Sequence, residues 1–324
     1  MAEWLVEHGI GEQRAIRLED GHVTAARLHW PGRLTAGQVE DAVLVHRPAG
    51  NARGRARFAN GEEALIDKLP GDAQEGAALR LEVTRSRIGE RGRTKLAQAR
   101  PTAQPPRPAP ALEESLTLAG ESARVVRSFP DERWEEVWSD AWSGTIAFAG
   151  GAMHFSPTPA MLLVDIDGDL PRLPLCLAAI EPLARAIGRF DLAGSIGIDF
   201  PTLPDKADRR KVDEALALAL ADWPHQGTAM NGFGFVQLVA RLERPSLLNA
   251  IAVNRVGAAA RMLLRRAERV SDPGTLLLTC HPAIKARLRP EWLDELSRRT
   301  GREVRIETDP ALALDAGFAQ AVPA

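Results

Sequence analysis

Two short apolar runs that end in aspartate constrain the fold of this chain more than any other feature. They are Met161-Leu-Leu-Val-Asp165-Ile-Asp167 and Gly194-Ser-Ile-Gly-Ile-Asp199-Phe200. Apolar runs of this length bounded by Gly or Pro are typical of buried strands. An ionised carboxylate inside such a run is costly unless it is paired, metal-bound or placed where the strand emerges. We therefore expect Asp165 and Asp199 at strand ends.

The segment between the two runs, Pro171 to Phe190, has apolar residues at helical spacing. The unit therefore predicts strand, helix, strand, and for parallel strands in one sheet the crossover is right-handed. Asp165 and Asp199 would then meet at the carboxyl edge, where such sheets bind ligands. Asp167 follows Asp165 by two residues and shares its strand face.

Carboxylates without nearby Cys or His favour a hard cation with oxygen ligands. Mg2+ commonly takes one or two protein carboxylates and keeps waters and substrate phosphate in its other positions. The pattern therefore predicts Mg2+ at Asp165 and Asp199, and phosphodiester chemistry. From spacing alone, the alternative is that both aspartates merely end strands or cap the following helices.

The composition of the 324-residue chain is that of a globular protein with two or three domains. No apolar run reaches the roughly 18 residues of a membrane span and no leader peptide is present, so we expect a cytoplasmic protein without membrane contact. Its two cysteines, Cys176 and Cys280, exclude a zinc site of paired cysteines and are expected in the core. A formal net charge of −2 leaves room for a local basic patch.

A basic stretch lies between Arg80 and Arg107, where the only acids are Glu82 and Glu90. Its cations are Arg80, Arg85, Arg87, Arg91, Arg93, Lys95, Arg100 and Arg107. Clustered cations of this kind favour contact with phosphate groups. The alternative is a solvated hairpin that continues into a linker.

The predicted fold is mixed α/β and has several parts. Residues 1–30 are expected to form short strands that pack on the core, and residues 31–100 alternate strand and turn at the spacing of a small OB-type barrel. The Pro-rich segment 101–112 predicts a linker. An α/β core is expected over 113–250, and a smaller α/β unit over 251–324.

Two further predicted helices flank the aspartate-bearing runs. The first, Arg133 to Trp142, has its tryptophans on one face, as in a helix packed on a core. The second, Asp205 to Ala221, begins soon after Asp199 and is basic at its start. Its Arg209 and Arg210 are candidates for binding a phosphate near Asp199, and a solvated first turn is the alternative.

The order of these segments resembles the ribonuclease E/G family of bacterial endoribonucleases. Gly150-Gly151 through Asp167 is similar to the family stretch in which two glycines and an extended segment lead to a metal-binding Asp. Gly194 to Phe200 is similar to the second metal-binding segment. Further segments follow in family order: Arg209-Arg210, Gly232-Phe-Gly-Phe-Val-Gln237, and His281 to Pro310. The resemblance covers about 150 to 310 well and the barrel weakly.

The chain departs from the family pattern at several positions. Asp167 stands where the family usually has Asn, and Gln237 replaces a family Glu. No cysteine lies within residues 245–254, where the family has the pair that links protomers through zinc. We therefore expect no structural zinc, and the sequence leaves the oligomeric state open. In the barrel, Arg57 and Leu65 stand about where base-stacking aromatics would be, which leaves Phe58 as the nearest ring.

The chain has no room for the family's 5'-phosphate-sensing domain. The segment between barrel and core is far shorter than the family's 5'-phosphate-sensing domain, so Arg127-Ser128 is assigned no sensing role. We therefore expect similar cleavage rates for RNAs with a 5'-hydroxyl and a 5'-monophosphate.

The resemblance implies an N-terminal OB-type barrel, an RNase H/DNase-like α/β catalytic core and a small C-terminal α/β unit. The implied activity is Mg2+-dependent endonucleolytic hydrolysis of single-stranded RNA, with Asp165 and Asp199 holding the ion and Asp167 binding it or orienting a water. The candidate RNA contacts are Arg209, Arg210, Arg91, Arg93, Lys95 and Phe58. Two alternatives remain: a non-catalytic RNA-binding protein that keeps this fold, and a general α/β metal-dependent phosphatase.

Overall fold

The computed structural model of the chain describes residues 2–90 and 92–323. Arg91, one of the candidate RNA contacts, lies outside the described residues. The chain begins with three antiparallel strands, as expected: β1 (Glu3–Gly9), β2 (Glu12–Glu19) and β3 (His22–His29). Asp20 and Gly21, which join β2 to β3, both have positive φ, the conformation that a tight two-residue hairpin loop requires.

A closed five-stranded barrel follows, within the range that the strand-and-turn spacing predicted. Its strands and an inserted hairpin are β4 (Val39–His46), β5 (Gly54–Arg57), β6 (Glu63–Ile66), β7 (Ala78–Arg85), β8 (Ile88–Glu90), β9 (Arg93–Lys95) and β10 (Ala97–Pro101). The strand order is β10-β6-β5-β4-β7, and β10 closes the barrel because it pairs with both β6 and β7. The hairpin of β8 and β9 stands outside the barrel wall.

The predicted linker is partly held against the barrel. Arg107 forms an isolated bridge with Val39, and its Nε donates to the carbonyl of Gly37 at 2.7 Å. Two elements that the sequence analysis did not predict come next, α1 (Leu112–Leu118) and β11 (Ala123–Val126). β11 pairs in parallel with β1, which extends the first sheet to the order β11-β1-β2-β3.

A six-stranded sheet contains both aspartate-bearing runs. Its region comprises α2 (Arg133–Ser143), β12 (Thr145–Phe148), β13 (Gly151–Pro157), β14 (Leu162–Gly168), α3 (Arg172–Arg189), β15 (Gly194–Asp199), α4 (Lys206–Ala219), β16 (Gln226–Gly227) and β17 (Phe235–Ala240). The strand order is β12-β13-β14-β15-β17-β16. β14 and β15 are parallel neighbours joined through α3, which is the strand, helix, strand unit that the spacing predicted.

The C-terminal part forms a second, smaller α/β layer. Its elements are α5 (Leu247–Val253), α6 (Arg255–Glu268), β18 (Thr275–Cys280), α7 (Pro282–Lys285), α8 (Pro290–Thr300), β19 (Val304–Thr308) and β20 (Phe318–Val322). The strands form a sheet of order β19-β18-β20, in which β20 was not predicted. No single described helix is long and apolar enough to cross a membrane; α5 and α6, bent by 108° at their junction, meet that criterion only as a pair.

A buried ionic network joins the two ends of the chain. Glu7 on β1 accepts a hydrogen bond from Arg14 on β2 at 2.5 Å and lies 3.4 Å from Arg265 on α6. Arg14 also bonds to Glu12, and Arg265 to Glu135 on α2. Because Glu7, Glu12, Arg14 and Arg265 are all buried, each needs its partners to remain charged inside the protein.

Glu7 is the centre of this network. Burial acts to raise the pKa of Glu7, but the charges of Arg14 and Arg265 and the N–H of Phe129, which donates at 3.0 Å, outweigh it and lower the pKa below the ordinary 4.5. The ionised form therefore stabilises the fold above that pH, and this contribution is lost as the pH falls through the lowered pKa.

Removing the charge of Glu7 is expected to destabilise the protein strongly. Breaking one partner of a buried ion pair costs about 3 to 5 kcal/mol, so Glu7→Gln should lower the free energy of unfolding by that amount at pH 7. Urea unfolding followed by circular dichroism measures it. Glu3→Gln on the same strand is the control, because Glu3 pairs with Arg124 at the surface, where the loss of an ion pair has little effect on stability. Equal losses in both variants would contradict a special role for the network.

Candidate active site on the open face of the sheet

The six-stranded sheet has one covered face and one open face. On β14 the side chain of Ile166 is buried in the main core, whereas Asp165 and Asp167 on either side of it are exposed. β15 repeats the alternation, with Ile198 buried and Asp199 exposed at the last residue of the strand. The carboxylates therefore avoid the cost of burial because the strands present them to solvent.

Five side chains form a line across the open face, one from each of five neighbouring strands. We call them the Asp165 row: Thr145, His154, Asp165, Asp199 and Phe235, each paired in register with the next. Adjacent strands lie about 4.8 Å apart, so register partners such as Asp165 and Asp199 are immediate neighbours on one face. The structure thus brings the two aspartates together, but it corrects the expectation that both end their strands. Only Asp199 ends its strand, whereas Asp165 lies in the middle of the seven-residue β14 and avoids burial because it faces the open side of the sheet.

The carboxylates of this face interact electrostatically. Partial burial raises the pKa of Asp199, and the negative charges of Asp165 and Asp167 raise it further. Asp167 therefore belongs to the same cluster although it lies two residues beyond the row. A bound cation would relieve the repulsion between these like charges.

The donor set of this cluster suits a hard cation. Two adjacent carboxylates match the usual protein share of a Mg2+ coordination shell, and neither thiolate nor a second imidazole lies in the Asp165 row. Among the described residues, no three His, Cys, Asp or Glu side chains are grouped so as to enclose a metal ion. Asp165 and Asp199 therefore offer an open, two-carboxylate site, and most ligands of an ion there would be solvent or substrate.

Aromatic rings border the carboxylates on the β17 side. A Cβ atom at Gly197 would lie 2.4 Å from the Phe235 ring and 2.8 Å from the Met161 sulfur, so the ring crosses the strand where only glycine leaves room. Phe235 is the neighbour of Asp199 in the row. The open face therefore combines two carboxylates with an adjoining apolar surface.

A second ring lies in the loop before β17. Phe233 is 82% exposed, and its carbonyl accepts a hydrogen bond from the Thr202 hydroxyl at 3.1 Å. The next residue, Gly234, accepts from the N–H of Phe200 at 3.2 Å. These bonds tie the loop to the segment directly after Asp199, so an exposed aromatic side chain is presented close to the carboxylates.

His154 is the residue that the sequence analysis missed at this site. It is exposed, lies opposite Asp165, and has its Nδ1 3.2 Å from the hydroxyl of Thr145. The signal was present in the sequence, because β13 and β14 form a hairpin and counting outward from the turn at residues 158–161 pairs His154 with Asp165. The hairpin had to be recognised before that count was possible.

Gln237, which replaces a family Glu, faces the same open surface two residues after Phe235. Its side-chain amide donates to the Ser195 hydroxyl at 3.2 Å, across the Gly197 position of β15. A neutral amide in this place adds no charge to the cluster. It holds β15 and β17 together beside the carboxylates.

The two arginines predicted to contact phosphate lie in the first half of α4. Arg209 directs Nη1 to the carbonyls of Leu203 and Pro204, at 2.6 and 2.8 Å, and so holds the loop between β15 and α4. Arg210 is exposed and pairs with Glu214 at 2.8 Å. Arg209 therefore stabilises this loop. Arg210 makes only an exposed ion pair with Glu214, which it can give up to bind a phosphate.

The predicted barrel contacts have different surroundings. Arg93 and Lys95 on β9 both pair with Glu90, and Arg93 donates to the carbonyl of Pro159 at 2.7 Å, near the start of β14. The hairpin of β8 and β9 therefore connects the barrel to the sheet. Phe58 is only 3% exposed in the barrel core, which corrects the expectation that its ring stacks on a base.

Arg127 and Ser128 line a cavity that sequence length alone did not reveal. The cavity measures about 750 Å³, and its other arginines are Arg265, Arg269, Arg299 and Arg302. Nη2 of Arg265 is buried and has no hydrogen-bond partner among the described residues. Glu7 and Glu268 also line this cavity, so its lining carries charges of both signs. The expected indifference to the 5' end stays a prediction.

The like-charge repulsion at Asp199 leads to a direct test. Asp165→Asn and Asp167→Asn each remove one negative charge beside Asp199, so each should lower the pKa of Asp199 toward its ordinary value of 3.8. Carbon-13 NMR titration of the aspartate carboxyl groups measures the shift. Asp222→Asn, which is not among the groups that shift Asp199, is the control and should leave the titration unchanged. An unaltered Asp199 titration in both test variants would show that the carboxylates do not interact.

Comparison with known proteins does not identify the chain: no family model matches it, and no curated protein matches it.

Proposed function

We propose that this protein is a Mg2+-dependent endoribonuclease that hydrolyses phosphodiester bonds of single-stranded RNA. The observation that carries the proposal is the alignment of Asp165 with Asp199 on neighbouring parallel strands, with both side chains exposed on the open face of the sheet. Exposed carboxylates aligned in this way suit a divalent cation shared with a substrate phosphate.

The residues of the open face have distinct roles in this proposal. Asp165 and Asp199 hold the ion through one carboxylate each, and Asp167 either binds it or orients a water beside it. Mg2+ bound there would polarise the scissile phosphate and lower the pKa of water. His154, opposite Asp165 and bonded to Thr145, is placed to carry a proton at Nε2 because its Nδ1 is engaged by the hydroxyl.

The substrate strand is proposed to run past the β17 side of the carboxylates. Phe233 offers the exposed ring on which a base can stack, a contact that every base can make. Arg210 offsets charge on the phosphate, and Arg93 and Lys95 on the hairpin contact the backbone further along the strand. Sequence-independent contacts of this kind suit an enzyme that acts on unpaired RNA.

The proposed lineage is the ribonuclease E/G family. The support is the resemblance of Gly150 to Asp167 and of Gly194 to Phe200, together with a closed barrel placed before a sheet that presents both aspartates. On this proposal the barrel is of the OB type, the six-stranded sheet is the core of an RNase H/DNase-like domain, and residues 251–324 form a C-terminal α/β unit. The protein would act in the cytoplasm.

A second candidate function is RNA binding without cleavage. It is favoured by the absence, among the described residues, of any three-ligand metal group, and by Asp167 and Gln237 in place of the family residues. In that case the open face would bind RNA without cleaving it. The third possibility from the sequence, a general metal-dependent phosphatase, has no separate structural support.

Cleavage should depend on the two aligned carboxylates. Asp165→Asn and Asp199→Asn are each expected to reduce cleavage of a fluorescent single-stranded RNA by about 100-fold or more at limiting Mg2+, since each removes a metal ligand. Asp167→Asn should reduce the cleavage rate less, because it restores the residue that the family usually has. Gel-based initial rates, with Asp222→Asn as the control variant and with chelator as a blank, measure the effect.

The same assay separates the two candidate functions. Wild-type cleavage that needs Mg2+ and both aspartates supports the enzyme. RNA binding in fluorescence anisotropy without any Mg2+-dependent cleavage supports the binding protein instead. Full activity of both Asp→Asn variants at limiting Mg2+ would contradict the site.

Phosphate contacts on the hairpin should appear in the salt dependence of RNA binding. Each phosphate contact to a single strand contributes about −0.7 to the slope of log K against log salt, so Arg93→Gln with Lys95→Gln should make the slope shallower by about 1.4. Fluorescence anisotropy in chelator measures the slope without cleavage. Arg185→Gln with Arg305→Gln, two exposed arginines elsewhere, is the matched control. An unchanged slope in the hairpin variant would exclude the hairpin as a phosphate contact.

A further inference from the structure

A large cleft lies between the barrel, the first sheet and the C-terminal part of the chain, away from the Asp165 row. It encloses about 810 Å³ and, among the described residues, is lined by eight arginines and three glutamates. Sites that bind molecules of nucleotide size commonly enclose about 300 to 1,000 Å³. The volume and the excess of positive charge both point to an anionic ligand.

Most arginines of the cleft are neutralised within the protein. Arg27 and Arg244 share the carboxylate of Asp191, at 3.0 and 2.6 Å. Arg100 pairs with Glu82 at 2.8 Å. Arg93 and Arg241 likewise have glutamate partners. The positive charge available to a ligand is therefore concentrated on the remaining three arginines.

The three remaining arginines are Arg33, Arg87 and Arg287. The nearest carboxylate to Arg33 is that of Glu62, at 3.8 Å, and Arg87 has only a 3.4 Å bond to the hydroxyl of Thr94. Arg287 has neither an ion pair nor a side-chain hydrogen bond among the described residues. All three side chains are thus able to turn toward a ligand.

Arg33 and Arg287 also approach a fixed guanidinium group. Arg261 lies between the indole rings of Trp30 and Trp292, at 4.4 and 4.7 Å, and its Nε donates to the carbonyl of Gly11. Burial lowers the pKa of Arg261 to about 10; Glu12 opposes this, whereas the positive charges of Arg289, Arg287 and Arg33 add to it. Arg33 and Arg287, which line the cleft, therefore repel the guanidinium of Arg261.

Two acids lie near these cations: Glu62, which is 3.8 Å from Arg33, and Glu12, whose charge acts on Arg261 but which is engaged by other groups. Glu12 bonds to Arg14 and accepts from the indole N–H of Trp30 at 3.0 Å. Repulsion among guanidinium groups is relieved when an anion binds between them, and phosphate matches the planar fork of arginine. A phosphate group is thus the best complement to Arg33 and Arg287.

The cleft is also lined by exposed aliphatic side chains, which we call the Leu118 wall. Leu118 at the end of α1 is 72% exposed and Val253 at the end of α5 is 48% exposed, although both are aliphatic. Aliphatic side chains left in solvent beside a cationic cluster form a surface against which a planar base can pack. The arginines and the aliphatic side chains together match the two halves of a nucleotide.

We propose that this cleft binds a nucleotide, with Arg33 and Arg287 holding its phosphate and the Leu118 wall contacting its base. The phosphate belongs either to a free nucleotide or to a nucleotide within an RNA strand. This inference does not rest on cleavage at Asp165 and Asp199.

Isothermal titration calorimetry of the full chain, at low salt and in chelator, tests the proposal. The probes are uridine 5'-monophosphate, uridine, and a 2'-O-methyl pentauridylate that carries a 5'-hydroxyl and resists cleavage. We expect at least one phosphate-bearing probe to bind more tightly than uridine. Arg33→Gln with Arg287→Gln should weaken that binding about tenfold or more, since two charge-assisted contacts are lost. Leu118→Ser should weaken it less and without changing its salt dependence.

The control is Arg185→Gln with Arg305→Gln, which removes two exposed arginines outside the cleft. Because Arg33 and Arg287 are exposed, the double variant should keep the wild-type melting temperature. Binding of the mononucleotide assigns the cleft to free nucleotides, and binding of the oligonucleotide alone assigns it to RNA; either outcome supports the proposal. Wild-type affinity in the Arg33 and Arg287 variant, or no binding of either phosphate-bearing probe, overturns it. Since no step involves Mg2+, an inactive enzyme that still binds the nucleotide would contradict only the proposed nuclease function.

Discussion

The rest of the structure depends on the buried network of Glu7, Arg14 and Arg265. It joins the first strand of the chain to α6, and through Glu135 it also reaches α2. Hydrophobic packing alone would let the first sheet slide over these helices, because apolar contact has no direction. Buried charges do not allow this, since each shift leaves an ion without a partner at a cost of several kcal/mol. The network therefore sets how the N-terminal sheet meets the C-terminal part.

The charges at the surface are sorted into regions of opposite sign. On the open face of the six-stranded sheet, carboxylates add to the effect of partial burial in raising the pKa of Asp199. Near the cleft beside the barrel, arginines add to the effect of burial in lowering the pKa of Arg261. The like charges within each region repel one another, and this repulsion lowers the stability of the protein when no ligand is bound. A protein with a net charge of only −2 thus presents one region suited to a cation and another suited to an anion.

The sequence predicted the strands and helices whose apolar residues recur at regular spacing. Alternation and Gly or Pro boundaries marked the barrel strands and both aspartate-bearing runs, and helical spacing marked α2, α3 and α4. The missed elements α1, β11, α5 and β20 are at most seven residues long, too short for a period to stand out. Phe58 could have been placed correctly. Its position directly after β5 continues the alternation in which Arg55 and Arg57 face outward and Ala56 faces the barrel core, so the local pattern already placed the ring inside.

What the sequence determined by itself was local: which segments form strands, which form helices, and that Asp165 and Asp167 share one face of their strand. These follow from the alternation of side chains, which is a property of one strand. The tertiary structure alone decided which strands are neighbours and in which register, and so it placed His154 opposite Asp165 and Phe235 beside Asp199. It also decided that Arg33 and Arg287, more than 200 residues apart along the chain, line one cleft, because that depends on how the barrel and the helices pack.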